Sequence, residues 1–514
     1  MLFKIFYTTL LAFTTVICAS CSPTPSSITE NNSTDSDNQI NNGTSINWQP
    51  CIQSDFAKWF PSYAKVDSLE CATIDVPLEQ AAETTNKATD KPTVIKLALS
   101  RLPATGNKDE KLGTIISISG GPGQSGLDVS PIDSPAYARL SKHFDIIGYA
   151  PRGVSPTTPS IKCGTTERVL FPEDVEQFAA ECWEHTPNDL LTQLGADYAV
   201  DDIEAIRQAI GVPKINLIGY SYGTKIAALY AEKFPEHLRA GVLDGVVNLN
   251  ESDLQVALNQ AVELQQTFER FVDSCRQQAN CYFADTKTVK EAETKLATLY
   301  LYFERNKVYD FDKQLISPMN MSWVLNDLLT WPEQWSLLNE LFVSINDKDF
   351  ELFKILIDES KNSVDYATFV SIICADGAPT AAKKTGYIAD IKRVDALLTW
   401  DNFREFDDKE ILDACYYWPV AGSDVPHIPK LAESAPPLLL VAQTNDSATP
   451  YINAKAMQKY LNAILLTRRS DGHTLALSDL SRCVDNKVVD YLISPSSFAN
   501  KKGDIIEDNF YCAR

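Results

Sequence analysis

Asn216-Leu217-Ile218-Gly219-Tyr220-Ser221-Tyr222-Gly223-Thr224 carries a strand into a helix through one serine set between two glycines. The apolar run Lys214 to Gly219 reads as a short buried strand, and Thr224 to Phe234 reads as an amphipathic helix. A Gly-x-Ser-x-Gly turn in that position forces strained dihedrals on the serine and lifts its hydroxyl above the sheet edge. The N-terminus of the following helix favours negative charge developing there. Ser221 is therefore the candidate nucleophile.

Comparable apolar runs flank this stretch. Val94 to Leu99, Thr114 to Ser119 and Phe144 to Tyr149 precede it, while Ala240 to Leu243, Leu438 to Val441 and Ala463 to Thr467 follow. Helical patterns such as Asp201 to Ile210 separate them. Short buried strands alternating with helices predict an α/β fold, a mostly parallel sheet with helices on both faces. From about residue 250 to 435 the strands stop and helical periodicity takes over, in Val256 to Cys275, Lys290 to Arg305 and Met321 to Ile345. Because the strand series then resumes, this reads as an inserted helical lid. The core is left in two parts, residues 48–249 and 436–514.

A serine hydroxyl needs a base, and the base needs an orienting carboxylate, in the chain order nucleophile, acid, base. Of the five histidines only His473 lies beyond the last strands, in Ser470-Asp471-Gly472-His473-Thr474. His143 precedes a strand upstream of the serine, and His185, His237 and His427 lack a comparable context. Asp446, in Asn445-Asp446-Ser447-Ala448-Thr449-Pro450 after the strand Leu438 to Val441, is placed as the acid, with Asp471 as a substitute. An oxyanion site needs backbone N–H donors. Tyr222 supplies one, and Gly121 of Gly120-Gly121-Pro122-Gly123 the other, since Pro122 has no N–H to give. Neither metal nor organic cofactor is required by this chemistry.

The formal net charge of −22 over 514 residues disfavours nucleic acid and anionic lipid surfaces as partners. Residues 1–20 read as an export signal, with Lys4 ahead of the apolar run Ile5 to Ile17, and residues 21–47 as an unstructured polar tether. Cys18-Ala19-Ser20-Cys21 is similar to a bacterial lipoprotein signal, with Cys21 as the acylated residue. It departs from that pattern at Cys18, where leucine is usual, and ordinary signal cleavage is the alternative. The expected location is extracytoplasmic, either membrane-anchored through that lipid alone or periplasmic or secreted. Of the twelve cysteines, ten remain once Cys18 leaves with the signal and Cys21 is lipidated, which suits five disulfides. Nearest-neighbour spacing suggests Cys51–Cys71, Cys163–Cys182, Cys275–Cys281, Cys374–Cys415 and Cys483–Cys512.

Taken together these residues resemble the proline iminopeptidase branch of the α/β-hydrolases, and more closely the secreted bacterial tripeptidyl aminopeptidases. The resemblance rests on Gly120 to Gly126, Pro151-Arg152-Gly153-Val154, Gly219 to Thr224, Leu243-Asp244-Gly245-Val246, Asp446 to Pro450 and Gly472-His473-Thr474. The C-terminal run from Arg482 to Cys512 is also similar to the end of those proteins. Ala150, Ser155-Pro156-Thr157 and Ser119 depart from the family pattern, in loops that bear on substrate choice more than on reaction type. The resemblance implies release of single residues or short peptides from unblocked N-termini. Such an enzyme needs a carboxylate for the substrate ammonium, and Asp376 and Glu263 are candidates. Trp323, Trp331 and Trp335 are candidates to line an apolar pocket, with lid packing as the competing role. The same triad would serve an esterase, and a binding protein on an inactive scaffold is the rival from another class.

Overall fold

The computed structural model describes residues 46–60, 66–78, 94–128, 134–164, 174–363, 365–501 and 511–512. The expected export signal and Cys21 lie outside them, as does the expected tether except its last two residues, of which Ile46 packs against the main core. Ten strands form one sheet: β1 (Gln49–Pro50), β2 (Glu70–Pro77), β3 (Val94–Leu102), β4 (Gly113–Ile118), β5 (Phe144–Ala150), β6 (Ile215–Tyr220), β7 (Leu238–Asp244), β8 (Leu439–Asn445), β9 (Ile464–Asp471) and β10 (Tyr511–Cys512). Their order is β1-β2-β3-β5-β4-β6-β7-β8-β9-β10. From β5 to β10 every pairing is parallel, while β1, β2, β3 and β5 pair antiparallel at the other end.

Burial explains which strands were legible as apolar runs. In β4, β6 and β7 nearly every residue is buried, as strands covered by helices on both faces must be. β2 was not anticipated. From Ala72 on its burial alternates, with Ala72, Ile74 and Val76 inward and Thr73, Asp75 and Pro77 outward, because one face meets solvent, while Cys71 is buried in its disulfide with Cys51. The expected strands otherwise appear, with ends shifted by one to four residues.

Arg152, in one of the motifs behind the family resemblance, ties this sheet to the helix Ala196–Ile210. Its Nε donates to Asp202 Oδ2 at 2.8 Å and its Nη2 to Oδ1 at 2.6 Å, with both side chains buried. Nη1 donates to the Gln193 carbonyl at 2.9 Å. A fork this complete satisfies both charges, and removing one partner strands the other in low dielectric. We expect Arg152→Met to lower unfolding free energy by about 3–5 kcal/mol. A denaturant midpoint within error of the parent would refute this role.

Between β7 and β8 the chain leaves the sheet. Asp253–Cys275, Val289–Arg305, Pro318–Thr330, Trp335–Asn346 and Glu351–Ser363 are helices with a core of their own, centred on Phe268, Phe271, Phe283 and Phe342. Tyr366–Gly377 differs: Ala367, Val370 and Cys374 pack into the main hydrolase core instead. Cys51–Cys71, Cys163–Cys182, Cys275–Cys281 and Cys374–Cys415 are disulfides, and Cys483 is disulfide-bonded as well.

Candidate active site

Ser221 stands alone between β6 and the helix Tyr222–Lys233, at φ 52° and ψ −121°. A non-glycine residue holds that conformation only where its surroundings enforce it. Two neighbours do so. The Ser221 amide donates to the Asp244 carbonyl at the end of β7, 2.8 Å away. On the other side, a Cβ on Gly223 would fall 2.4 Å from the Ile118 carbonyl oxygen, so only glycine lets the helix approach β4 this closely.

The oxyanion loop lies directly against the serine. A Cβ on Gly120 would stand 2.9 Å from Ser221 Cβ and 3.6 Å from its Oγ. Gly121 follows immediately at φ 100°, and Tyr222 begins the nucleophile helix.

Asp446 and His473 arrive from the loops after β8 and β9. His473 Nδ1 lies 2.9 Å from Asp446 Oδ2 and 3.0 Å from Oδ1. Asp446 is 1% exposed and His473 8%. The Ala448 and Thr449 amides donate to Asp446 Oδ1 at 2.9 and 2.8 Å, and Thr449 Oγ1 donates to Oδ2 at 2.9 Å. These donors fix the carboxylate, which orients the imidazole through Nδ1 and leaves Nε2 free to act as a base. Burial alone would lower the His473 pKa, but the Asp446 charge outweighs it, and the group titrates above its ordinary value. The ring lies beside the nucleophile turn: a Cβ on Gly245, next to the carbonyl that holds Ser221, would lie 2.9 Å from His473 Cε1. Asp471, the substitute acid, is engaged elsewhere, accepting from Arg270 Nε of the lid at 2.5 Å.

Two further residues escaped the sequence reading. The Thr449 hydroxyl, besides donating to Asp446, lies 3.3 Å from His473 Nδ1. Asp244 is fully buried and its Oδ2 accepts from the Leu475 and Ala476 amides at 2.5 and 2.6 Å, fixing the segment behind the histidine. Burial raises this carboxyl to about 7. Its place at the end of β7, beside the nucleophile turn, was the available signal.

The two carboxylates expected to meet a substrate ammonium are already occupied. Asp376 Oδ1 accepts from the Ala196 amide at 3.0 Å, and Oδ2 accepts from Tyr222 Oη and Lys225 Nζ, both at 2.8 Å. Lys225 also meets Asp424 at 2.7 Å, so Asp376 latches the helix Tyr366–Gly377 to the nucleophile helix. The Lys225 ammonium stands between the two carboxylates, so Asp376 already has a cation partner within the protein. Glu263 is paired with Arg270 Nη2 at 2.9 Å, the same guanidinium that holds Asp471.

The tryptophans divide between the expected roles. Trp335 belongs to the lid core, 5.9 Å from the Phe271 ring. Trp331 lies over the site, 6.1 Å from the His473 ring. Trp323 packs 6.1 Å from Phe369, whose amide nitrogen would be 3.1 Å from a Cβ on Gly123 of the oxyanion loop.

A strained serine, a desolvated His–Asp pair and a glycine loop on one sheet edge define a hydrolase. The chain belongs to the α/β-hydrolase fold family, whose model matches residues 113–479. It is 31% identical to the putative hydrolase YuaR of Escherichia coli, over 88% of this chain and 91% of that one. It is 28% identical to the serine protease Hip1 of Mycobacterium tuberculosis, covering 88% and 89%. A tripeptidyl aminopeptidase of Streptomyces coelicolor is 26% identical, covering 87% and 84%.

Proposed function

We propose that the protein is an exported serine aminopeptidase that removes short N-terminal peptides or single residues from unblocked peptides. Ser221 attacks the scissile carbonyl and His473 takes its proton through Nε2. Asp446 holds the tautomer, and the Gly121 and Tyr222 amides receive the oxyanion. His473 then protonates the leaving amine, and water releases the acyl group by the same route. No metal or organic cofactor enters this cycle.

The observation that carries the reading is the roof over the catalytic pair. Trp331 covers His473, and Gln260 of the lid donates to the Ala448 carbonyl at 2.7 Å, beside Asp446. A covered site admits a chain end more readily than the middle of a polypeptide. The serine protease and tripeptidyl aminopeptidase named among the relatives support the same class. Disulfides in the fold suit an oxidising, extracytoplasmic location, with acylated Cys21 as the anchor and peptides as the partners.

An exopeptidase of this type recognises the charged amine, so blocking it removes binding energy used in the transition state. Acetylated tripeptide anilides are expected to be cleaved at least about a hundredfold more slowly than free ones, as kcat/KM. Equal rates on both would point to a lidded esterase or endopeptidase instead.

A further inference from the structure

His473 opens a loop whose backbone its own residues do not favour. Thr474, Leu477 and Asp479 stand at φ 52°, 62° and 62°, and no glycine follows His473 before the helix Arg482–Ile493. Side chains with a Cβ hold that region only where outside contacts enforce it.

Buried side chains supply those contacts. At the far end of the loop, Asp485 accepts from the Leu477 and Asp479 amides at 2.8 and 3.2 Å. At the near end the partners belong to the nucleophile turn. Tyr220, the residue before Ser221, donates through Oη to the Ala476 carbonyl at 3.3 Å. Asp244 Oδ2 accepts from the Leu475 and Ala476 amides, the first two amides beyond Thr474. The carbonyl of the same Asp244 accepts from the Ser221 amide at 2.8 Å. Nucleophile and base are thus each bonded to one residue, the first through its main chain and the second through its side chain. The fit is close: a Cβ on Gly245 would meet His473 Cε1 at 2.9 Å and Thr474 Cγ2 at 3.0 Å.

The Asp244 carboxyl has an oxygen to spare. Oδ1 is buried and has no hydrogen-bond partner among the described residues. A proton on Oδ1 leaves both amide bonds to Oδ2 intact, so the neutral acid holds the loop as the anion does. The charge has a separate effect. Burial lowers the His473 pKa, Asp446 raises it, and Asp244 adds to that rise. Of the groups facing Asp244, His473 favours its anion and Asp446 opposes it, while Tyr220 stays neutral because burial pushes its hydroxyl up.

We propose that Asp244 is a positioning residue that sets the reach of His473 to Ser221, its carbonyl fixing the nucleophile and its carboxyl fixing the loop of the base. This rests on the Ser221–His473 reading above and holds for any acyl substrate that the pair cleaves. Position requires only the side-chain oxygen on the two amides, whereas the charge tunes the pH at which His473 acts.

The test compares Asp244→Ala and Asp244→Asn with the parent by the rate of fluorophosphonate labelling at Ser221 as a function of pH, beside the denaturant midpoint. Alanine removes the acceptor and frees the loop, so labelling is expected to slow at least about a hundredfold. Asparagine sets its oxygen on the two amides and its NH2 where Oδ1 stands, so labelling near about pH 8 should stay within about fivefold of the parent. With the charge gone, the acid limb of the asparagine profile moves to lower pH, because His473 then protonates only in more acid solution. A mere loss of stability would scale labelling by the folded fraction and leave that limb in place. Parent-like labelling of folded Asp244→Ala, an equally slow Asp244→Asn, or an unmoved acid limb would overturn the proposal. Should the alanine variant not fold, the rate and limb of Asp244→Asn decide. Absence of labelling at Ser221 in the parent would overturn the nucleophile reading as well.

Discussion

Ser221→Ala protein is expected to lose at least about four orders of magnitude in kcat and all covalent labelling by a fluorophosphonate. The reason is geometric. Every constraint on the turn, from the Asp244 carbonyl to the close approach of Gly223, acts on the backbone, so the alanine variant keeps the strained conformation and loses only the hydroxyl. Its circular dichroism and denaturant midpoint should match the parent. Residual turnover reflects the oxyanion donors and binding alone. Undiminished labelling at another serine would move the nucleophile elsewhere.

Asp446→Asn should lower kcat by about four orders of magnitude as well, through a different fault. The Ala448 and Thr449 amides and the Thr449 hydroxyl all donate to this side chain, so it must present oxygen to them. An asparagine amide can satisfy some of those donors only by turning its NH2 toward His473, which favours the wrong tautomer. The carboxylate charge is also what lifts the histidine pKa against burial. Its removal should shift the acid limb of the residual kcat/KM profile to lower pH, since the base then stays neutral further into acid. An unchanged limb would mean that Asp446 does not set the titration of His473.

The parts of this molecule legible in the sequence are those where one local pattern decides the outcome. Buried parallel strands announce themselves as apolar runs, and Ser221, Asp446 and His473 follow from chain order once the strand-to-helix turn is recognised. β2 was missed because an alternating half-buried strand such as Thr73 to Val76 is a weaker signal than a continuous run. The lid carboxylates were harder for a different reason. In a chain of 68 acidic residues, nothing local marks Asp376 as the partner of Lys225, which comes from another element. Only the tertiary fold does so.

The lid interrupts the sheet in sequence but not in space, and this sets the order of events as the chain is made. Asp244 of β7 pairs with Val441 of β8, 197 residues later. An emerging chain carries its nucleophile long before its acid and base exist. While the lid forms its own aromatic core, the β7 edge stays open and the serine has no proton acceptor. Hydrolytic competence is therefore acquired late and all at once, when the last portion docks, so unfinished or truncated chains are inert.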